Sequence, residues 1–274
     1  MNTHIGNVKE FLEKYRMIEK LGEGGYGSVY LCEEKRTKMK RAVKTVEDSR
    51  CTNKTYITEL DMRLPNEIIL WKPLSHPNIL SLLDIYLDTN SMKWYLVMEY
   101  EAGFQDLFDY VDRNGALSDQ ESSRIIKQLV NVVYYLTLQD VDHRDLKDEN
   151  ILYNPTTQQI KVIDFGSATP LSSTPYTFFR GTDVYIPPEY YTTGRYASFQ
   201  ASVWAIGCIS YILQAGDCPF QSTKAVMEFK NLQQLKPEIA ESTPRVNFIN
   251  SCLKSCPYDR IMLSDLIRHP WLTI

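Results

Sequence analysis

The sequence has 274 residues, of which 30 are Lys or Arg and 34 are Asp or Glu, so its formal net charge is −4. This length fits one large domain or two small ones, and a hydrophobic share of 43% provides for a sizeable core and excludes a wholly disordered chain. The mild excess of acidic residues also argues against a protein whose main role is to bind nucleic-acid phosphates.

Extended patterns dominate the first hundred residues. Residues 28–46 contain two β-type runs that a charged stretch separates, which predicts a β-hairpin, and residues 93–98 form another such run. Between them, Pro65 precedes a short helical pattern over residues 66–72, at a position where the missing N–H of proline costs little.

From about residue 104 the pattern becomes helical. Ser118 and Glu121 form a capping box in front of a long run whose apolar residues recur at helical spacing. Further helices are predicted from Ser198 past Ile209 and over residues 264–268. The chain therefore divides near residues 99–103 into a smaller β-rich part and a larger α-rich part.

The cysteines and the N-terminus indicate the compartment. Six scattered cysteines are too few for a disulfide framework in a chain of this length, and no histidines stand at zinc-binding spacing beside them. Apolar runs fall short of the ~20 residues that span a bilayer, and the N-terminus has neither the order of a signal peptide nor a glycine at Asn2 for myristoylation. We therefore expect reduced thiols, no membrane partner, and a location in the cytoplasm, the nucleus or both.

A glycine-rich segment at residues 22–29 fits the pattern G-x-G-x-x-G-x-V. Glycines allow a backbone to approach phosphate oxygens closely. The same spacing also occurs in dinucleotide-binding βαβ units and in ordinary hairpin turns. A dinucleotide fold needs a helix directly after the last glycine, whereas a β-branched strand pattern follows here, so a nucleoside-triphosphate loop is favoured over a nicotinamide site.

Lys44 follows the hairpin turn on an extended run, where its ammonium group could reach phosphates under the glycine segment. A buried lysine needs an orienting carboxylate. Glu67 and Glu59 are both candidates, and Glu67 ranks higher because it directly precedes an apolar run. A strand lysine or a helical glutamate alone would more often be an exposed side chain.

Residues 143–150 (His-Arg-Asp-Leu-Lys-Asp-Glu-Asn) are the most specific segment, since they fit H-R-D-L-x-x-x-N. Asp164-Phe-Gly follows at the end of an apolar run, and then come Gly181-Thr182 and Pro187-Pro-Glu189. In this order the segments resemble those of the eukaryotic protein kinases, and the resemblance extends from about residue 15 to residue 271.

The resemblance implies an α+β, bilobal protein-kinase fold. A β-rich N-lobe with one main helix would span about residues 15–98, a hinge residues 99–103, and a larger α-helical C-lobe residues 104–274. Residues 1–14 would form a short N-terminal extension. The implied cofactors are ATP and Mg²⁺.

The resemblance also implies the site residues. Asp145 would accept the proton of the substrate hydroxyl, Lys147 would steady the γ-phosphate, and Asn150 and Asp164 would hold Mg²⁺. Lys44, held by Glu67, would contact the α- and β-phosphates. The whole nucleotide-binding set would be Leu21, Gly22, Glu23, Gly24, Gly25, Tyr26, Gly27, Val29, Ala42, Lys44, Glu67, Met98, Glu99, Glu101, Leu152 and Asp164, with Met98 as gatekeeper and the backbones of Glu99 and Glu101 bonding to adenine.

Lys147, two places after Asp145, is typical of serine/threonine kinases. Within the family the chain resembles the Pim and PAS-kinase branch of the calmodulin-kinase group, on segments such as residues 106–110 (Asp-Leu-Phe-Asp-Tyr) and 136–140 (Leu-Thr-Leu-Gln-Asp). Unlike Pim kinases it has no proline in the hinge. We expect a monomer that acts on protein or peptide substrates.

The chain departs from the family pattern at a few positions. Ser202 stands where most relatives have an aspartate that caps the catalytic loop, and Pro187 replaces an alanine, both as in Pim kinases. Glu189 is expected to pair with Arg260. The role of Arg180 has no explanation.

Substrate choice and regulation rest on surface groups. Asp106, Asp109 and Glu149 lie where basophilic relatives place carboxylates, which implies a preference for basic residues upstream of the target. A phosphate on the activation segment (residues 166–187) could pair with Arg144, and the need for it stays open. The alternatives are a pseudokinase scaffold and, from the glycine segment alone, a nicotinamide-dependent oxidoreductase.

Overall fold

A computed structural model describes residues 4–24, 27–51, 53–230 and 243–273. Gly25 and Tyr26, two of the expected nucleotide-binding residues, lie outside them. The chain divides into two compact units, residues 1–103 and 104–274. The predicted change from a β-rich to an α-rich part is confirmed.

The elements of the first unit are β1 (Gly6–Asn7), α1 (Val8–Lys14), β2 (Tyr15–Gly24), β3 (Gly27–Glu34), β4 (Lys40–Glu47), β5 (Lys54–Ile57), β6 (Met62–Pro65), α2 (Asn66–Trp71), β7 (Leu82–Asp88) and β8 (Lys93–Glu99). Six of these strands form one sheet in the order β1-β7-β8-β4-β3-β2. Only the β1–β7 pair is parallel among these six strands. The predicted hairpin is β3–β4, the predicted run at 93–98 is β8, and Pro65 is the N-cap of α2, so all three predictions are confirmed.

Residues 6–14, within the stretch expected as an N-terminal extension, form β1 and α1 of this unit. Asn7 caps α1 by accepting a hydrogen bond from the Glu10 N–H at 3.1 Å. Phe11 is fully buried, with its ring centroid 4.8 Å from that of Tyr95 and 5.5 Å from that of Tyr86. One aromatic side chain therefore ties the N-terminal helix to the sheet.

Phe11→Ala is expected to lower the free energy of unfolding by about 3–5 kcal/mol, because it removes a large buried ring and leaves a cavity. Leu12→Ala is the matched control, since Leu12 is 55% exposed and surface changes usually stay within about 0.5 kcal/mol. Urea unfolding of both variants measures the difference. Equal losses in the two variants would contradict the packing role of Phe11.

The second unit is mainly helical. Its elements are β9 (Gln105–Asp106), α3 (Leu107–Asn114), α4 (Asp119–Leu138), β10 (Val141–Asp142), β11 (Ile151–Asn154), β12 (Gln159–Val162), β13 (Thr169–Pro170), α5 (Pro188–Thr193), α6 (Ser198–Ala215), α7 (Thr223–Glu228), α8 (Pro244–Cys252) and α9 (Leu263–Leu266). Small sheets pair β9 and β12 with β11, and β10 with β13. The core lies along α4 and α6, where Trp204 stacks on Phe220 with centroids 5.3 Å apart.

The long helix begins as predicted, but its capping box is only half formed. Ser118 accepts the Glu121 N–H at 3.2 Å. The Glu121 carboxylate does not return to the cap; it accepts the hydroxyls of Tyr110 at 3.2 Å and Tyr153 at 2.7 Å. Bonds to two hydroxyls replace the reciprocal cap bond because the ring of Tyr110 packs on Tyr153 next to this turn.

All six cysteines lie within the described residues and are free thiols, as expected. Burial raises the pKa of Cys32 to about 11. Among the described helices, none combines the length and apolar character that crossing a bilayer requires.

Candidate active site

Lys44 and Glu67 form a buried ion pair in the first unit. Lys44 lies on β4 between β3 and β8, and its Nζ is 2.7 Å from Oε1 of Glu67 in the first turn of α2. The two side chains are 10% and 7% exposed. Glu59 is exposed in a separate turn. The preference for Glu67 as the partner is confirmed.

The glycine segment forms the β2–β3 hairpin. Gly22 pairs with Val29 and Gly24 with Gly27. Gly27 has a φ of +155°, and a Cβ there would come within 2.0 Å of the Thr45 carbonyl oxygen on β4. This glycine is therefore required by the close approach of the neighbouring strand as well as by any phosphate. A strand follows it, as predicted, so the helix that a nicotinamide site needs is not formed there.

The other expected nucleotide contacts of the first unit lie on the same sheet or just after it. Ala42 and Met98 are paired across β4 and β8, and both are buried. Glu99 and Ser81 exchange two bonds, from the Glu99 N–H to the Ser81 carbonyl and from the Ser81 N–H to the Glu99 carboxylate. The remaining members are placed as follows: Leu21 and Glu23 on β2, Val29 on β3, and Glu101 after β8.

A cluster of polar side chains surrounds Asp145 in the second unit. The Asn150 amide donates to the Asp145 carbonyl at 2.8 Å and to its Oδ2 at 3.1 Å. Lys147 Nζ lies 3.8 Å from the same Oδ2 and donates to the Thr182 hydroxyl at 2.8 Å. The expected catalytic residues are thus brought together. Thr182 joins them, a contact that its place in the Gly-Thr pair alone did not indicate.

The backbone of this loop is held by His143. Its Nε2 donates to the Ile163 carbonyl at 3.0 Å, its Nδ1 accepts the Asp145 N–H at 3.4 Å, and its ring packs on Phe165. The backbone of Arg144, between His143 and Asp145, is in the left-handed region with a φ of +64°. Such a conformation is costly outside glycine and persists where surrounding contacts enforce it.

Asp164 ends the β11–β12 pair on the same side as Asn150. The Ile163 N–H donates to the Asn150 carbonyl at 3.0 Å. This bond places the backbone of Asp164, the next residue, near that of Asn150. Asp164 is left-handed, and its carboxylate accepts the Gly166 N–H at 3.2 Å. A carboxylate and an amide oxygen are ligands that Mg²⁺ accepts, so these residues fit the expected metal. Leu152 lies half-buried on β11.

Gly181 lets the activation segment approach the catalytic loop. With a φ of +137°, it would place a Cβ 3.0 Å from Asp145 Oδ1. Any larger residue would therefore press on the expected proton acceptor. The next residue, Thr182, can then reach Lys147.

Arg144 already has partners in the activation segment. Its Nη2 donates to the Phe178 carbonyl at 2.6 Å and to the Tyr196 hydroxyl at 2.7 Å, and its guanidinium carbon lies 4.1 Å above the ring of Tyr176. The guanidinium carbon of Arg180 lies 5.8 Å from the centroid of the exposed Phe178 ring. The expected Glu189–Arg260 pair is confirmed by two bonds of 2.8 and 2.5 Å.

The acidic residues that relate to substrate choice lie on neighbouring elements. Asp106 is the N-cap of α3 and accepts the Phe108 N–H at 2.9 Å. Burial raises its pKa to about 6, against the lowering effect of the cap hydrogen bonds. Burial also raises the pKa of Glu149. Asp109 lies in the first turn of α3.

Comparison with known proteins agrees with this geometry. The protein kinase domain family matches residues 15–272. The chain is 34% identical to the zebrafish (Danio rerio) serine/threonine-protein kinase pim-2 over 97% of its own length and 87% of the relative. It is 31% identical to the Caenorhabditis elegans serine/threonine-protein kinase prk-2, over 96% of its own length and 59% of the relative. It is 33% identical to the mouse PAS domain-containing serine/threonine-protein kinase, over 96% of its own length and 19% of the relative.

The matched region therefore spans only part of the nematode and mouse relatives, but nearly all of this chain. The chain belongs to the protein kinase family, and it is a serine/threonine-protein kinase similar to the Pim and PAS-domain kinases.

Proposed function

We propose that this kinase transfers the γ-phosphoryl group of Mg²⁺-bound ATP to serine or threonine hydroxyls that follow basic residues in protein substrates. The observation that carries the proposal is the hydrogen-bonded cluster of Asp145, Lys147, Asn150 and Thr182. Phosphoryl transfer requires little covalent work from a protein, so placing charges and donors around the reacting atoms accounts for most of the rate.

Asp145 orients the substrate hydroxyl. As the hydroxyl oxygen bonds to the γ-phosphorus and the bond to the β-phosphate oxygen breaks, the hydroxyl proton passes to the Asp145 carboxylate. Asn150 holds that carboxylate from one side. Lys147, fixed by Thr182, neutralises charge that gathers on the transferred oxygens.

Further residues are assigned to the nucleotide and its metal. Lys44 binds the α- and β-phosphates, and Glu67 fixes its ammonium group. Asn150 and Asp164 would hold Mg²⁺, which would supply positive charge against the phosphate oxygens. Adenine bonds to the backbone of Glu99 and Glu101 beside the gatekeeper Met98.

A non-catalytic scaffold is the less favoured alternative, because a scaffold has no need to retain Lys44, Asp145 and Asp164 together. Transfer of labelled phosphate to an arranged peptide array tests the proposal, with Asp164→Ala as the blank. We expect transfer to Ser/Thr peptides with upstream arginine. Preference for acidic or proline-flanked peptides would contradict the substrate class, and transfer that persists in the blank would contradict the catalytic assignment.

The basic preference is expected to weaken in acid. Because the pKa of Asp106 is raised to about 6, its carboxylate attracts arginine above that pH and loses its charge as the pH falls through it. The ratio of kcat/KM for a peptide with upstream arginine to one with alanine should therefore fall between pH 7.5 and pH 5.

Asp106→Asn is the informative variant, because asparagine still caps α3 but carries no charge. It should lower that ratio by about tenfold at pH 7.5 and flatten its pH dependence. Asp112→Asn, at an exposed position on the same helix, is the control. A pH dependence unchanged in Asp106→Asn would remove Asp106 from the specificity site.

A further inference from the structure

Asp142 is a buried acid that the proposed chemistry does not use. It immediately precedes His143, is 4% exposed, and its Oδ2 accepts no hydrogen bond from any described residue. Burial raises its pKa, while the hydroxyls of Ser198 and Tyr176 and the charge of Arg144 act in the opposite direction. A carboxyl group is costly to bury, so this position needs a reason.

The contacts of Asp142 lead to the activation segment. As part of β10 it pairs with Thr169 of β13, and the Thr169 hydroxyl is 3.2 Å from that of Tyr176. Tyr176 is bridged to Tyr196 through two backbone bonds of 2.8 and 3.1 Å. Asp142 therefore lies next to the contacts that attach the activation segment to Tyr196.

Arg144 lines the same small cavity as Asp142. Its guanidinium group bonds to the Phe178 carbonyl and the Tyr196 hydroxyl and lies over the ring of Tyr176. Charge attraction between a cation and an acid is stronger where water is excluded. Arg144 and Tyr196 therefore line a cavity with Asp142, and the Tyr176 hydroxyl lies 3.2 Å from that of Thr169, the strand partner of Asp142.

Asp142 borders empty space that it shares with the position where relatives carry an aspartate. Two small cavities, of about 30 and 50 Å³, are lined by Asp142, Ser198 and Ser202 together. Ser202 is the position at which the family resemblance leads one to expect an aspartate. This chain has a serine there and supplies a carboxyl group to the same cavities from the catalytic-loop side.

We propose that Asp142 is a positioning residue, whose carboxyl group orients Arg144 and Tyr176 so that the activation segment places Thr182 against Lys147. This inference rests on the proposed roles of Asp145 and Lys147. A buried side chain would then anchor the activation segment, a role that a phosphate on the segment could otherwise fill by pairing with Arg144.

The test compares Asp142→Asn with Asp140→Asn, the same substitution at an exposed position two residues earlier. The proteins are prepared free of phosphate, as verified by intact mass. For Asp142→Asn we expect kcat to fall by about 10- to 100-fold, since small misplacements of catalytic groups have effects of this size, while the KM for ATP stays within about twofold. Hydrogen exchange should increase in peptides covering residues 172–182. Asp140→Asn should match the wild type in kcat, in the KM for ATP and in hydrogen exchange.

Rescue separates positioning from stability. A carboxylate returned from the other wall, in Asp142→Asn with Ser202→Asp, should recover part of the lost kcat and the exchange protection. If Asp142→Asn fails to fold, Tyr176→Phe replaces it, because it removes the hydroxyl that contacts Thr169 and Pro170 of the strand beside Asp142, and it should lower kcat and increase the same exchange.

Wild-type kcat and exchange in Asp142→Asn, or in Tyr176→Phe where that variant is used, would overturn the inference. So would a lowered melting temperature with unchanged kcat. The activities of Asp145→Asn and Asp164→Ala are measured in the same experiment. Activity retained in those two would count against the proposed function, whereas activity lost in them but kept in Asp142→Asn would count against the positioning role alone.

Discussion

Replacing Asp145 with asparagine is expected to lower kcat by about 10²- to 10⁴-fold, the contribution typical of a positioned proton acceptor. Asparagine keeps the size of the side chain, but it cannot take the hydroxyl proton. The KM for ATP should change little, because the nucleotide contacts are assigned to Lys44, Asn150 and Asp164. Steady-state kinetics with a fixed peptide measure both constants.

The same Asp-to-Asn change at Asp265, exposed on α9, is the control for Asp145→Asn and should leave both constants unchanged. Circular dichroism confirms that the variants are folded. A kcat close to that of the wild type in Asp145→Asn would mean that the proton leaves by another route. The catalytic assignment of this cluster would then be wrong.

Glu189→Ala is expected to destabilise the fold by about 3–5 kcal/mol, because it leaves the Arg260 guanidinium buried without its carboxylate. The Arg260 side chain is 0% exposed. It also donates to the Gln200 and Lys254 carbonyls and lies 5.0 Å over the ring of Trp204. These remaining contacts keep the charge buried when Glu189 is lost.

Glu228→Ala is the matched control for Glu189→Ala, because its partner Lys224 is 3.9 Å away and both side chains are largely exposed. Exposed pairs contribute at most about 1 kcal/mol. A double variant, Glu189→Ala with Arg260→Met, should recover part of the loss, since it removes the unpaired charge. Urea unfolding measures the free energy of unfolding of each variant. Equal losses in Glu189→Ala and Glu228→Ala would contradict the stabilising role of the buried pair.

Local patterns predicted the parts of the site that short segments build. The β3–β4 hairpin, the Ser118 cap and the choice of Glu67 over Glu59 followed from residue type and spacing, because turns, caps and apolar runs are decided within a few residues. The cluster around Asp145 was predictable for a different reason. Its residues stand in one short loop, at spacings that resemble a known family.

Features that depend on distant packing were not predicted. Helix α1 is mostly polar, and only the burial of Phe11 against β7 and β8 shows that it belongs to the sheet. Glu121 bonds to tyrosine hydroxyls instead of completing its cap, since Tyr153 comes from a strand far along the chain. Asp142 is one acid in a two-residue strand, so nothing in its neighbours signals that it is buried beside Tyr176.

The most direct test is a crystal structure of the kinase with a non-hydrolysable ATP analogue and Mg²⁺. We predict a single triphosphate with Lys44 at the α- and β-phosphates, Asn150 and Asp164 on the metal, and Asp145 facing the γ-phosphate. A structure without bound nucleotide at saturating analogue, or a triphosphate bound away from these four side chains, would contradict the account.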